Sequence, residues 1–165
     1  KRCISLYVEN QIGVLAKISG LFAGKSYNLD TLTVGETEDP TVSRMTIEMT
    51  MDDVTFEQVK KQLNRNVVVI KVMDFSDIPI QKTELLYIKI HSCTEKDKTE
   101  IFRIVNSFDH LEIADYGKKS VIVRYVETEG KVNDIIELFN KTFINRIEVV
   151  RGGSVAIESV STTTK

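Results

Sequence analysis

The sequence predicts an α+β protein of two small units that share one topology, each running strand, helix, strand, strand, helix, strand. Three observations carry this. Some segments alternate apolar and polar residues, others repeat apolar residues at helical spacing, and the series breaks around Pro79 and starts again about 80 residues after its beginning.

The elements follow in order. "RCISLYV" alternates, with Ile4, Leu6 and Val8 on one face and Cys3, Ser5 and Tyr7 on the other, the period of a half-buried strand. From Gly13 to Gly24 the positions Val14, Leu15, Ile18, Leu21 and Phe22 fall at helical spacing, and Gly24 supplies the stop. "NLDTLTVG" reads as a second strand. "SRMTIEMTM" reads as a third, with Met45, Ile47, Met49 and Met51 inward and Arg44, Thr46, Glu48 and Thr50 outward. "DDVTFEQVKKQLNRN" is a helix capped by Asp52 or Asp53, with Phe56, Val59 and Leu63 as its apolar stripe. "VVVIKVM" closes the first unit, and both its faces are apolar, which calls for cover beyond the two helices.

The second unit repeats the order in topology rather than in residues. "ELLYIKIH" is a strand, and "EKDKTEIFRIVNSF" a helix with Ile101, Ile104, Val105 and Phe108 inward. "LEIAD" and "KSVIVRYVE" are strands turning at Tyr116 and Gly117. "GKVNDIIELFNKTF" is a helix carrying Val132, Ile135, Ile136 and Phe139, and "RIEVV" is the last strand. A split β-α-β of this kind makes an antiparallel four-stranded sheet with both helices on one face, the ferredoxin-like arrangement. The expected division is a first domain at 1–74, a linker at 75–83, a second ferredoxin-like domain at 84–157, and a tail at 158–165 fading into disorder. Units of this size bury little core, and each leaves one sheet face without helices, so docking or subunit pairing is expected to cover the rest.

Composition narrows the function classes. The chain has 165 residues, 42% apolar and 28% charged, with a formal net charge of -2. This is the profile of a soluble globular protein with no bulk basic footprint for nucleic acid and no polybasic membrane anchor. No apolar run has the length of a transmembrane span, and "KRCISLYVEN" enters a strand directly, with no signal-peptide pattern. Cys3 and Cys93 lie far apart outside any Cys/His cluster, so buried thiols in a reducing cytoplasm are expected, with neither disulfide nor zinc. Walker loop, nucleophile elbow, dinucleotide fingerprint and metal-ligand helix pair are all missing from the sequence. His91 and His110 read as structural or solvated.

The segment that asks for a function is "ENQIG", where the first strand hands over to the first helix. An RNA-recognition module of this topology shows aromatics on its central strands, but "SRMTIEMTM" has none. An acylphosphatase-like enzyme needs a basic phosphate cradle at this turn, which instead holds Glu9 and no Arg. A helix start does offer unpaired N–H groups, and Gly13 lets a carboxylate approach them. Asn10 both donates and accepts, which suits a zwitterion. Asn10 and Gly13 are equally a common cap and turn, and both readings stand at this point.

Residues 3–74 resemble the N-terminal ACT domain of the acetolactate synthase (acetohydroxyacid synthase) regulatory small subunits. The resemblance rests on "ENQIGVL" at 9–15, "GLF" at 20–22, "YNLDTLTVG" at 27–35 and "DPTVSRMTI" at 39–47. The second half resembles that family's C-terminal domain by length and topology. The resemblance implies a non-catalytic chain that holds no cofactor and activates a separate catalytic subunit using thiamine diphosphate, magnesium and FAD. It further implies feedback inhibition by branched-chain amino acids, usually valine, with leucine or isoleucine possible, in a homodimer formed through the ACT domain. Carried over by position, Asn10, Ile12, Gly13, Val14 and Leu15 of one protomer would line the effector site, with Asn28 and Leu29 supplied by the other. Ile12 stands where the family often has a small, polar or Pro residue. Arg44 is read either as a solvent-facing strand residue or as a contact to the catalytic subunit. The alternative is a stand-alone ACT-pair sensor acting on another enzyme, which shares the fold and ligand class.

Overall fold

The structure, a computed structural model, describes residues 1–24 and 27–161. The chain divides into two compact units, the first formed by Lys1–Gln81 together with the chain from Ser154 onward, the second by Lys82–Gly153.

In the first unit, β1 (Arg2–Glu9), α1 (Val14–Gly24), β2 (Leu29–Glu36), β3 (Val42–Met49), α2 (Asp53–Arg65) and β4 (Val69–Asp74) follow the expected order. The sheet is antiparallel with strand order β2-β3-β1-β4, the ferredoxin-like arrangement. Alternation decides its inner face: Ile4, Leu6 and Val8 of β1 and Met45, Ile47 and Met49 of β3 are buried together with Ile18 and Phe22 of α1 and Val59 and Leu63 of α2. The Asp52 carboxylate caps α2 by accepting from the Thr55 N–H at 2.7 Å.

The face without helices departs from the expectation. Thr46 and Glu48 were expected outward, yet both are buried, as are Cys3 and Ser5 on the same face of β1. The segment after β4 and a short returning strand, β9 (Val155–Glu158), account for part of this cover. Phe75 and Ala156 pack with Cys3, joined by Met73, Ile78 and Ile80. Glu48 is held by the Lys1 ammonium at 3.5 Å and by the Thr31 hydroxyl, which donates at 3.3 Å. Residues 155–157, expected in the second domain, therefore belong to the first unit, as does Glu158 of the expected tail, while 162–165 lie outside the described residues. Pairing of β9 with β5 (Ile80–Ile90) also turns the end of the expected linker 75–83 into strand.

The second unit uses β5, α3 (Glu95–Ser107), β6 (Leu111–Tyr116), β7 (Val121–Glu127), α4 (Glu129–Thr142) and β8 (Ile147–Arg151), in sheet order β6-β7-β5-β8. Its core joins Leu86, Ile88 and Ile90 to Ile101 and Ile104 of α3 and Val132, Ile135 and Phe139 of α4. Just past α3 one expected place is reversed, and on α3 a charged side chain lies in the interior. Phe108 is exposed and Lys98 is buried, because the Lys98 ammonium donates to the Lys118 carbonyl at 2.8 Å and lies 4.7 Å from the Tyr116 ring centre.

Candidate functional site

Asn10 holds two loops together. Its backbone N–H donates to the Thr41 carbonyl at 2.8 Å, and its side-chain Nδ2 donates to the Pro40 carbonyl at 2.9 Å. The acceptor loop is itself fixed: the Asp39 carboxylate accepts from the Thr41 hydroxyl at 2.7 Å and from the Thr41 N–H at 2.9 Å. Those bonds, the hydroxyl's first, hold the Asp39 carboxyl below its ordinary value. The turn entering α1 is thus strapped to the β2–β3 loop. Asn10 does not cap the helix through its side chain.

Gly13 takes φ 84°, left-handed backbone that other residues adopt at a cost, and α1 opens with no acidic residue in its first turn. The N–H groups of such a first turn have no intrahelical acceptor and carry the positive end of the helix dipole. Beside this start lies a small cavity of about 100 Å³, lined by Asn10, Val14 and Leu15 on one side and by Val34, Ser43 and Met45 of the sheet on the other. The arrangement fits a carboxylate at the helix start with a short apolar chain alongside.

The predicted residues separate into two groups. Asn10, Val14 and Leu15 share the cavity, Gly13 stands next to them, and Ile12 is fully exposed at the turn. Asn28 and Leu29 are elsewhere. Glu9 pairs with Val42, whereas Leu29 pairs with Met49, so the two groups are seven positions apart along β3, about 24 Å at ~3.4 Å per residue. Asn28 is exposed and Leu29 packs partly against the core. Arg44 is not solvent-facing as that reading had it. Its Nε donates to the Ser5 hydroxyl at 2.8 Å and its Nη2 to the Ala156 carbonyl at 3.1 Å, with the guanidinium 5.4 Å from the Tyr7 ring centre. The sequence reading missed the Asp39–Thr41 loop as the partner of Asn10. The signal was present, since an Asp two residues ahead of a Thr is a common side-chain-to-backbone turn.

Two family descriptions match the chain: "AHAS small subunit-like ACT domain" over residues 4–71 and "Small subunit of acetolactate synthase" over residues 83–160. The chain belongs to the acetolactate synthase small-subunit family. The acetolactate synthase small subunit of Aquifex aeolicus is 39% identical over 157 residues, covering 95% of this chain and 80% of that protein. The probable acetolactate synthase small subunit of Archaeoglobus fulgidus is 39% identical over 157 residues, covering 95% of this chain and 96% of that protein. The crystal structure of the small subunit from Thermotoga maritima superposes with a TM-score of 0.86 at 33% identity, covering 96% of this chain and 97% of that one. As a small-subunit family member the chain has an ACT domain as its first unit, and allosteric regulation in amino-acid biosynthesis follows from the family.

The second unit of the chain treats the equivalent helix start differently. Thr94 and Asp97 cap α3 reciprocally, and the Asp97 carboxylate also accepts from Arg146 Nη1 at 2.8 Å. These bonds, that from Arg146 first, hold the Asp97 carboxyl far below its ordinary value. An internal carboxylate already occupies that helix start, whereas α1 has no acidic residue in its first turn. His91 and His110 are exposed, and both thiols are buried without a disulfide. No helix among the described residues is long and apolar enough to cross a membrane.

Proposed function

We propose that this chain activates a separate acetolactate synthase catalytic subunit and makes it sensitive to a branched-chain amino acid, valine foremost, bound at a homodimer interface of the ACT domain. The catalytic subunit would carry the thiamine diphosphate, magnesium and FAD, and this chain would work beside it in the cytoplasm without chemistry of its own. The observation that carries the reading is the split between the two groups of residues. Asn10 and Gly13 build an open helix-start seat at one end of the sheet, while Asn28 and Leu29 lie about 24 Å away at the other. Strand β2 is an edge of its sheet, and pairing it antiparallel with β2 of a second copy about a two-fold axis exchanges the ends. The partner's Asn28 is thereby carried towards the first protomer's Gly13. Leu15 and Val34, 46% and 50% exposed at the cavity, gain cover in the same step.

In this arrangement the effector's carboxylate meets the N–H groups of the α1 start. Its ammonium takes Asn10 Oδ1 and the partner's Asn28, and its side chain lies on Val14 and Leu15. Sedimentation of dilute protein with and without valine tests the reading. Effector at about 100 times its dissociation constant should stabilise each occupied interface site by roughly 2.7 kcal/mol, seen as tighter dimerisation. An unchanged monomer–dimer equilibrium, in protein shown by calorimetry to bind valine, places the site within one protomer and overturns the interface.

A further inference from the structure

A second cavity, wholly within the second unit, has no part in this reading. It measures about 430 Å³, inside the range of roughly 300–1,000 Å³ common for small-molecule sites, and opens between the α3–β6 loop, the end of β7 and the start of α4. Tyr125 is part of its lining. The residue is only 3% exposed, its ring belongs to the core, and its hydroxyl makes no hydrogen bond with any described residue. As a lining residue it offers that hydroxyl, a donor and an acceptor at once, to a molecule held in the cavity.

The rim supplies the charge. Asp109, Glu127 and Asp134 line the cavity against a single Lys131, with His110 beside them. Glu127 is already engaged, lying 3.7 Å from Lys131 and 3.9 Å from His110 and accepting the Thr128 N–H at 2.9 Å. Asp109 and Asp134 take part in no ion pair among the described residues, which leaves two carboxylates without counter-charge. Burial, followed by Glu127, Asp109 and Asp134, pushes the Tyr125 phenol up, so it stays protonated and can accept as well as donate at neutral pH. No group of three or more ligating side chains among the described residues has the geometry to hold a metal ion. Phe108 and Ile135 provide the apolar remainder of the lining.

We propose that this cavity binds the primary ammonium of a small aliphatic amine, its three N–H donors directed to Tyr125 Oη, Asp109 and Asp134 and its carbon chain laid on Phe108 and Ile135. An ammonium has three donors and no acceptor, which matches the three open acceptors and the uncompensated negative charge. The ammonium belongs either to a diamine or to an ω-amino acid, and the latter would place its carboxylate on Lys131 and His110.

The test uses the full chain and ligand-observed NMR with n-butylamine, 1,4-diaminobutane and 4-aminobutanoate, none of which is an α-amino acid, and butan-1-ol as the control. Binding of the amines and not of the alcohol is expected. Tyr125→Phe, which keeps the ring in the core, should weaken amine binding about tenfold or more. Asp134→Asn, at an exposed position, should do the same and covers the case in which the Tyr125 variant fails to fold. A diamine binding more tightly than n-butylamine identifies the first source. Preferential binding of 4-aminobutanoate, lost on Lys131→Ala, identifies the second. Equal binding of alcohol and amine, no binding of any amine, or amine affinity unchanged in the folded variants would overturn the site.

Discussion

At Gly13 and Gly20 the same substitution should act in opposite directions. A Cβ at Gly13 would meet nothing within 4 Å, so the cost of Gly13→Ala is conformational, set by φ 84°, at about 1–2 kcal/mol. Gly20 lies exposed inside α1, with nothing within 4 Å of its Cβ position either, and Gly20→Ala should stabilise by about 0.5–1 kcal/mol. Urea denaturation of the two variants checks the pair; a shared sign would mean that crowding, and not backbone conformation, governs α1. Asn10 was identifiable in the sequence as a polar residue ahead of a helix, but its role was not. A cap and a strap between loops require the same side chain, and only the position of the Pro40 carbonyl decides between them. Asn10→Ala should cost about 1 kcal/mol in stability, because one exposed hydrogen bond is lost, and should weaken valine inhibition while leaving activation of the catalytic subunit in place. Inhibition curves that overlay wild type would remove Asn10 from the effector site.

The elements themselves were legible wherever one face is apolar and the other polar. The periods of β1, α2 and β3 gave those elements to within a residue or two because burial on one face selects alternation or helical repeat directly. Where the polar face of a strand is itself buried the rule fails, as at Thr46 and Glu48, since nothing within β3 records what lies over it. The capped start of α3 gives a prediction at this scale. Asp97 has its folded pKa depressed, so its contribution is fully present above the unfolded carboxylate value near 4 and is lost as pH falls through the still lower folded value. Asp97→Asn should therefore destabilise at pH 7 by about 1.5–3 kcal/mol, the worth of hydrogen bonds to a charged group, and the gap from wild type should narrow as pH falls below 4. Acid titrations of both proteins by circular dichroism test this. A gap independent of pH would mean that Asp97 acts through shape alone.

For the whole molecule, the two-unit plan was visible as a repeat, whereas the ownership of the last strand was not. "SVAIE" has the composition of a loose extension, and only three-dimensional neighbours show that Ala156 is buried against Cys3 and Phe75 and that its carbonyl accepts from Arg44. Truncation after Gly153 should leave Arg44 without that acceptor and open the Cys3 thiol, while Cys93, in the core of the second unit, stays shielded. Thiol labelling under native conditions should then show one fast-reacting cysteine in the truncated chain and none in the full one. Equal protection of Cys3 in both would show that β9 adds nothing to the cover of that face.

The return of β9 also sets an order of events during synthesis. A ribosome releases Lys1–Gln81 with its helices and four strands complete, yet the strand that finishes this unit is encoded after the entire second unit and emerges only once that unit has been made. Until then the N-terminal half leaves the apolar cluster at Cys3 and Phe75 incompletely covered, a patch that invites association with other nascent chains. The two halves are consequently not interchangeable cassettes. A genetic exchange made at the boundary near residue 81 transfers the second unit together with a piece of the first, and a hybrid folds well only if the incoming "SVAIE" fits the resident sheet.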